Sequence, residues 1–189
     1  MSQLAHHLRP RPEPALLPPN HPAIAALATD VAFACEQPLT AMGACIKAAL
    51  ARAVGEPDLL TAEQRGSQPG CYTRHVLHSD AAGRFTILAI AWGPGQFSPP
   101  HAHHTWCGYA VYHNPLEEQL FRFNPEQSKA ELMRTEVRAP GYCCFAVAGL
   151  DQIHRLGNSG REPAISIHVY GVERACIATH VNRVVDVAP

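Results

Sequence analysis

Near the middle of the 189-residue chain, Gly95–His103 reads GQFSPPHAH. On a β-strand, residues i and i+2 share one face and lie about 6.6 Å apart along the strand. Two imidazoles with this spacing can reach one metal ion, because metal–nitrogen bonds are about 2.1 Å long. The segment therefore indicates that His101 and His103 can share a metal, whereas His104 points to the opposite face.

The chain on both sides of this segment is typical of a β protein. Turn signals such as Gly93-Pro94-Gly95 and Asn124-Pro125 separate short apolar or alternating runs. The predicted strands are Cys71–His78, Arg84–Trp92, Thr105–Tyr112, Glu117–Phe123, Glu131–Arg138, Tyr142–Ala148, Ile153–Leu156 and Ala164–Tyr170. Many short strands at near-even spacing favour a sandwich or a barrel.

The N-terminal part has a different composition. Residues 1–22 contain six prolines, which favour an extended arm because proline lacks a backbone donor. Residues 21–34 and 39–54 are rich in Ala and Leu and predict two helices, the second capped by Gly55. We therefore predict a Pro-rich arm (residues 1–22) and one domain (23–189), in which helices lie within 23–55 and a β-barrel spans about 70–175.

Charge and cysteine usage exclude several classes of function. Lys plus Arg number 15 and Asp plus Glu 16, so a basic surface for nucleic acid is not expected. No apolar run approaches the roughly 20 residues of a membrane span, and residues 1–22 lack the apolar core of a secretory signal. Seven cysteines without a C-x-x-C pair fit a reducing compartment. The sequence predicts a cytoplasmic protein that binds neither nucleic acid nor membranes.

A third histidine stands far downstream, where His154–Asn158 reads HRLGN. The patterns G-x5-H-x-H and H-x3-N together resemble the paired motifs of the cupin superfamily, whose members are small jelly-roll barrels that hold one metal. Many cupins carry a carboxylate ligand soon after the second histidine, where this chain has Cys107 and Gly108. The resemblance implies an all-β jelly-roll core and a metal site of three neutral imidazoles, namely His101, His103 and His154.

Another group of polar residues lies on a predicted strand that reads SIHVY, from Ser166 to Tyr170. Alternation places Ser166, His168 and Tyr170 on one face. Inside a barrel, three such groups need to hydrogen-bond one another, and a Ser–His–Tyr relay meets that need. An outward-facing polar strand is the other interpretation, and periodicity alone does not separate the two.

Taken in order, these motifs resemble the thiol dioxygenases of the cysteine dioxygenase type over roughly residues 70–172. Tyr72-Thr-Arg74 and a second segment, Gly83–Gly93, which reads GRFTILAIAWG, add to the likeness. The resemblance implies one Fe(II) per chain, a small thiol and O2 as substrates, and a sulfinic acid as product, with L-cysteine to cysteine sulfinic acid as the first choice. It also implies roles for individual residues: catalysis for Tyr170, His168 and Ser166, and substrate binding for Arg74 and Tyr72.

Arg74 matches a position that divides the family. Arginine there belongs to members that resemble L-cysteine dioxygenases, in which it pairs with the substrate carboxylate, and glutamine to relatives that look like 3-mercaptopropionate dioxygenases. A guanidinium fork suits a carboxylate because it binds bidentately and keeps its charge when buried. Arg183 is a second candidate for the same role.

The animal enzymes of this family have a cysteine seven residues after the first ligand, cross-linked to the active-site tyrosine. The seventh residue after His101 is Gly108, and Cys107 is one position short. Since a shift of one residue turns a side chain to the other sheet face, we predict that Tyr170 is not cross-linked.

Alternatives to an L-cysteine dioxygenase remain open. They are a dioxygenase for 3-mercaptopropionate or another small thiol, an isomerase or oxidase of another cupin class that uses Zn, Mn or Ni, and a metal sensor without catalytic activity. The sequence is compatible with a monomer or a small homo-oligomer.

Overall fold

The computed structural model describes residues 21–188, in which two helices precede ten strands. The helices are α1 (Pro22–Ala34) and α2 (Leu39–Val54). The strands are β1 (Thr73–Ser79), β2 (Thr86–Trp92), β3 (His101–His103), β4 (Cys107–His113), β5 (Leu116–Asn124), β6 (Lys129–Arg138), β7 (Cys143–Ala146), β8 (Gly149–Gly157), β9 (Ala164–Tyr170) and β10 (Asn182–Val184). The predicted fold class, a jelly-roll β core behind N-terminal helices, is confirmed.

The strands form two five-stranded antiparallel sheets. One has the order β1-β2-β9-β4-β7 and the other β10-β3-β8-β5-β6, so strands distant in sequence become neighbours. The sheet pairing brings β3 against β8 and β2 against β9. Side chains from both sheets line one interior space, which is where the motifs of the sequence meet.

Some boundaries differ from those expected. The predicted arm, residues 1–22, lies outside the described residues except for His21 and Pro22, and Pro22 already begins α1. The imidazole of His21 accepts a hydrogen bond from the Ala23 amide and caps this helix. Strand β10 was not predicted, because only three residues form it and their neighbours show no alternation. No helix within residues 21–188 is long and apolar enough to cross a membrane.

Helix α2 packs on the outer face of one sheet, against β4 and β7. Its Ile46 and Leu50 are fully buried, as are Leu27 and Val31 of α1. Burial of each such side chain contributes about 1.5–3 kcal/mol. The helix lies close against Gly108 of β4, where an added Cβ would lie 2.6 Å from Cγ2 of Ile46 and 3.2 Å from Cδ1 of Leu50. The helix can therefore approach this closely only because position 108 has no side chain.

We expect Gly108→Ala to lower the free energy of unfolding by about 1–3 kcal/mol, the usual cost of overpacking a core. Chemical denaturation monitored by circular dichroism measures the loss. Gly66→Ala is the control, because position 66 is exposed and the one described atom within 4 Å of its added methyl group is the Glu63 carbonyl oxygen, at 3.3 Å. In an Ile46→Ala background the same substitution should cost less, and an equal cost in both backgrounds would contradict the contact.

Candidate metal centre and substrate pocket

Three histidines from two neighbouring strands meet between the sheets. His101 and His103 lie on β3, and His154 of β8 is the direct cross-strand neighbour of His101. The ring centroids are 5.1 Å apart for His101 and His103, 4.7 Å for His101 and His154, and 5.2 Å for His103 and His154. One ligand nitrogen from each ring lies within 4.8 Å of the other two, so this cluster can hold one metal ion.

Two of the three rings are held in place through Nδ1. The Nδ1 of His101 lies 2.8 Å from the carbonyl oxygen of Pro99, and the Nδ1 of His154 lies 2.7 Å from Oε1 of Glu118. Both partners are acceptors, so Nδ1 carries the proton in each ring and Nε2 keeps its lone pair. The donor set fits a divalent cation because neutral imidazole Nε2 is a common metal ligand.

Burial keeps His101 and His103 neutral. Desolvation and the neighbouring His154 and His103 hold the pKa of His101 well below its usual range. Desolvation, with a contribution from His154, lowers the pKa of His103 to about 3. A neutral ring needs no deprotonation before it binds a metal, so His101 and His103 are in their ligating form at neutral pH.

Glu118 is a member of the site that the sequence analysis missed. Its carboxylate is 2% exposed and lies 2.8 Å from Nε of Arg138, in addition to its contact with His154. Burial raises the pKa of Glu118, but the hydrogen bonds from His154 and Arg138 outweigh it and lower that pKa overall. The sequence did contain a signal for Glu118. Leu116, Glu118 and Leu120 occupy every second position of one strand, so a carboxylate lies on an otherwise apolar face.

The polar residues of β9 form a hydrogen-bonded chain. Tyr170 Oη lies 3.0 Å from Nδ1 of His168, whose Nε2 lies 2.8 Å from Oγ of Ser166. Nε1 of Trp92 donates to the same Oγ at 2.9 Å, which extends the chain beyond the three predicted residues. All four side chains are buried, and desolvation, followed by His154 and Arg74, holds the pKa of His168 well below its usual range. The strand therefore faces inward, and its alternative interpretation as an outer polar edge is wrong.

Arg74 and Tyr72 lie at the other side of the same space. Nη2 of Arg74 donates to the Tyr72 hydroxyl at 3.4 Å, and the Tyr72 ring packs on Trp92 with centroids 4.6 Å apart. Among the described residues, Nε of Arg74 is buried and has no hydrogen-bond partner. A buried donor without an acceptor is costly, so an anionic ligand at this position would satisfy it.

Two cavities meet at the histidines. The smaller, about 10 Å³, is lined by Arg74, Tyr72, Tyr170 and all three histidines. The larger, about 320 Å³, shares His103 and His154 with it and extends past Tyr109 toward Met133, which is 56% exposed. The smaller space holds about one water molecule. Arg74 does not line the larger cavity, so a ligand larger than water that contacts Arg74 has to displace side chains.

Two expectations about neighbouring residues are wrong. Arg183 is exposed, and its cross-strand partner is Ala102, so its side chain faces away from the histidines.

Cys107 is the direct cross-strand partner of Tyr170 and is buried with it in one cluster. Since opposite residues of an antiparallel pair share a face, Cys107 faces the site and Gly108 faces α2. The absence of a cross-link stays a prediction, but the reason given for it from side-chain direction does not hold.

Asn158, the last residue of the H-x3-N pattern, has a structural role. It is buried, and its Nδ2 donates to the carbonyl oxygens of Trp92 and Glu162 at 2.9 and 2.8 Å. Its Oδ1 accepts from the amide of Gly160 at 2.8 Å. These bonds fix the turn between β9 and β8, the strand that carries His154.

The family model described as "Cysteine dioxygenase type I" matches residues 68–178, more than half of the chain. The chain belongs to the cysteine dioxygenase type I family. The matched range contains every residue of the histidine cluster, the Ser–His–Tyr chain and Arg74. The resemblance that the sequence motifs indicated is thereby confirmed.

Curated relatives match over a shorter range. Cysteine dioxygenase type 1 of Rattus norvegicus is 29% identical over 101 residues, and that of Danio rerio is 30% identical over 103 residues. In both cases the match covers 52% of this chain and 50% of the relative, so the chain spans about half the length of the curated relatives it matches. A solved protein of Klebsiella pneumoniae subsp. pneumoniae with a double-stranded β-helix domain aligns with a TM-score of 0.48 and 19% identity over 68% of this chain and 99% of the other.

Proposed function

We propose that this family member is an iron(II)-dependent thiol dioxygenase that acts on a small thiol with a carboxylate group, with L-cysteine as the first candidate. The overall reaction adds both atoms of O2 to the thiol sulfur and gives the sulfinic acid. The observation that supports it best is the meeting of three histidines with a buried, partly unpaired Arg74 across one cavity.

The residues that would hold iron are His101, His103 and His154. Three neutral ligands leave the full charge of a divalent ion uncompensated, which favours an anionic ligand such as a thiolate. When bound, iron(II) supplies the redox chemistry that lets O2 react with a thiolate. Besides holding the metal, the protein keeps this reaction inside the barrel, away from bulk water.

Substrate orientation is assigned to Arg74 and Tyr72. The guanidinium would bind the carboxylate through Nε and a terminal nitrogen, and the Tyr72 hydroxyl, 3.4 Å from Nη2, would hold the guanidinium plane in place. The position of the carboxylate then sets the position of the sulfur two carbon atoms away.

Tyr170 is assigned to a hydrogen bond with the reacting groups. Ser166 can donate to Nε2 of His168, and the neutral imidazole then donates from Nδ1 to the Tyr170 oxygen. In that arrangement the Tyr170 oxygen accepts a hydrogen bond from His168, so the phenol proton is not used in that bond. Tyr170 therefore acts as a hydrogen-bond donor of fixed orientation.

Tyr170→Phe should lower kcat on the order of 100-fold, the lower range for a positioned proton donor, with iron content unchanged. Oxygen uptake and metal analysis of the same preparation measure the two quantities. Tyr112→Phe is the matched control, because its hydroxyl makes its hydrogen bonds, within the described residues, to Pro57 and Arg65 at the protein surface. Wild-type turnover in Tyr170→Phe would contradict the assigned role.

An oxygen-electrode assay of the Fe(II)-loaded protein tests the function as a whole. The thiols are L-cysteine, 3-mercaptopropionate and 2-aminoethanethiol, and product analysis looks for the sulfinic acid. Thiol-dependent O2 uptake with one of them supports the proposal, and the ratio of kcat/KM values identifies the preferred thiol. Uptake with none of them, in protein with one iron per chain, would refute it in favour of another cupin class or a sensor.

A further inference from the structure

The three histidines are not anchored equally. His101 and His154 each have an acceptor at Nδ1, a backbone carbonyl for the first and the Glu118 carboxylate for the second. Nδ1 of His103, in contrast, is buried and has no hydrogen-bond partner among the described residues. If Nε2 binds a metal, Nδ1 must carry a proton, and a buried N–H without an acceptor is costly.

A buried acceptor without a partner among the described residues lies opposite this histidine on the neighbouring strand. Asn182 of β10 is the cross-strand partner of His103, and its Oδ1 is also buried without a hydrogen-bond partner among the residues that the structure describes. Both side chains line the smaller cavity, so they lie on the same face. Directly opposite residues of an antiparallel pair have Cβ atoms about 4.5–5.5 Å apart. Nδ1 and Oδ1 are each two bonds from Cβ, so side-chain rotation can bring them to hydrogen-bond distance.

We propose that Asn182 is a positioning residue for the metal centre: its Oδ1 accepts the Nδ1–H of His103 and aims Nε2 of that ring at the ion. The inference rests on the proposed function in that it takes the three histidines as the metal ligands. Ligating histidines almost always donate their second N–H to an acceptor, which we call the anchor of that histidine. His101 and His154 each have an anchor, and Asn182 supplies the one that His103 lacks.

The three anchors differ in charge. Glu118 is anionic and makes His154 a more basic ligand, whereas the Pro99 carbonyl and the Asn182 amide are neutral. A neutral acceptor at position 182 orients His103 without adding negative charge, so the ion keeps its attraction for an anionic substrate. Strand β10, the edge strand that pairs with β3, thereby has a function in the site beyond closing the sheet edge.

Zinc affinity and imidazole N–H exchange test the proposal without relying on turnover. In competition with a chelator, Asn182→Ala should bind zinc(II) about 10- to 100-fold more weakly than wild type, the usual cost of losing such an anchor. NMR of the zinc-loaded, 15N-histidine-labelled protein should show a slowly exchanging Nδ1–H of His103 in wild type and its loss in Asn182→Ala. Asn182→Asp, which can only accept, should keep this signal.

Arg183→Ala is the matched control, because it changes the next residue of the same strand on the opposite, exposed face. It should leave affinity and N–H exchange unchanged. Asn182→Leu keeps side-chain size and removes the acceptor, and it replaces the alanine variant if that one does not fold. Wild-type affinity and an unchanged His103 signal in Asn182→Ala or Asn182→Leu would overturn the proposal. Because zinc binding needs no turnover, a protein without thiol dioxygenase activity would still give a clear result here.

Discussion

His154→Ala should abolish stable iron binding and, with it, all thiol-dependent oxygen uptake. The variant retains two imidazoles on one strand and loses the ligand that links β3 to β8. We expect affinity to fall by about 100-fold at least, since loss of a neighbouring anchor alone costs 10- to 100-fold. Metal analysis after gel filtration and a competition titration measure the loss directly.

His104→Ala is the control for this experiment, because His104 is exposed, adjacent to the motif and outside the cluster. It should bind one iron per chain with wild-type affinity. The alanine at position 154 also leaves Glu118 with Arg138 as its remaining ionic partner, so His154→Gln serves as a second variant that can still donate to the carboxylate. Full iron occupancy in both His154 variants would refute the ligand assignment.

Arg74→Ala should lower kcat/KM for L-cysteine and for 3-mercaptopropionate by about 100-fold, because a hydrogen bond to a charged group contributes about 1.5–3 kcal/mol and this one is buried. It should leave kcat/KM for 2-aminoethanethiol, which has no carboxylate, nearly unchanged. The difference between the thiols isolates the contact with the carboxylate from any general damage to the site.

Two further variants make the test of Arg74 sharper. Arg74→Lys keeps the charge but loses the planar fork, so we expect it to recover only part of the activity. Arg155→Ala removes an arginine that packs on Phe97 and does not line the cavity of Arg74, and it should behave as wild type. An equal loss for all three thiols in Arg74→Ala would contradict carboxylate binding and indicate a structural role.

The sequence by itself determined the local features. Proline and glycine positions, alanine-rich runs and alternating apolar residues predict helices and strands because they act through backbone geometry and burial over a few residues. The same reasoning found the His-x-His pair and the Ser166–His168–Tyr170 face, because period-2 spacing fixes which side chains share a side of one strand. The sequence could not predict that this face points into the barrel, because the alternation of residues is the same whichever face of a sheet is buried.

Contacts between strands far apart in the chain were decided by the tertiary structure alone. Glu118 reaches His154 across 36 positions of sequence, Trp92 reaches Ser166 across 74, and Asn182 meets His103 only because the edge strand β10 pairs with β3. The side on which Cys107 faces depended in the same way on the register between β4 and β9, since a shift of one residue reverses every side chain. The spacing of residues within one helix or strand can be read from the sequence. The partners of a side chain on other strands depend on strand order and register, which are set by the packing of the whole chain.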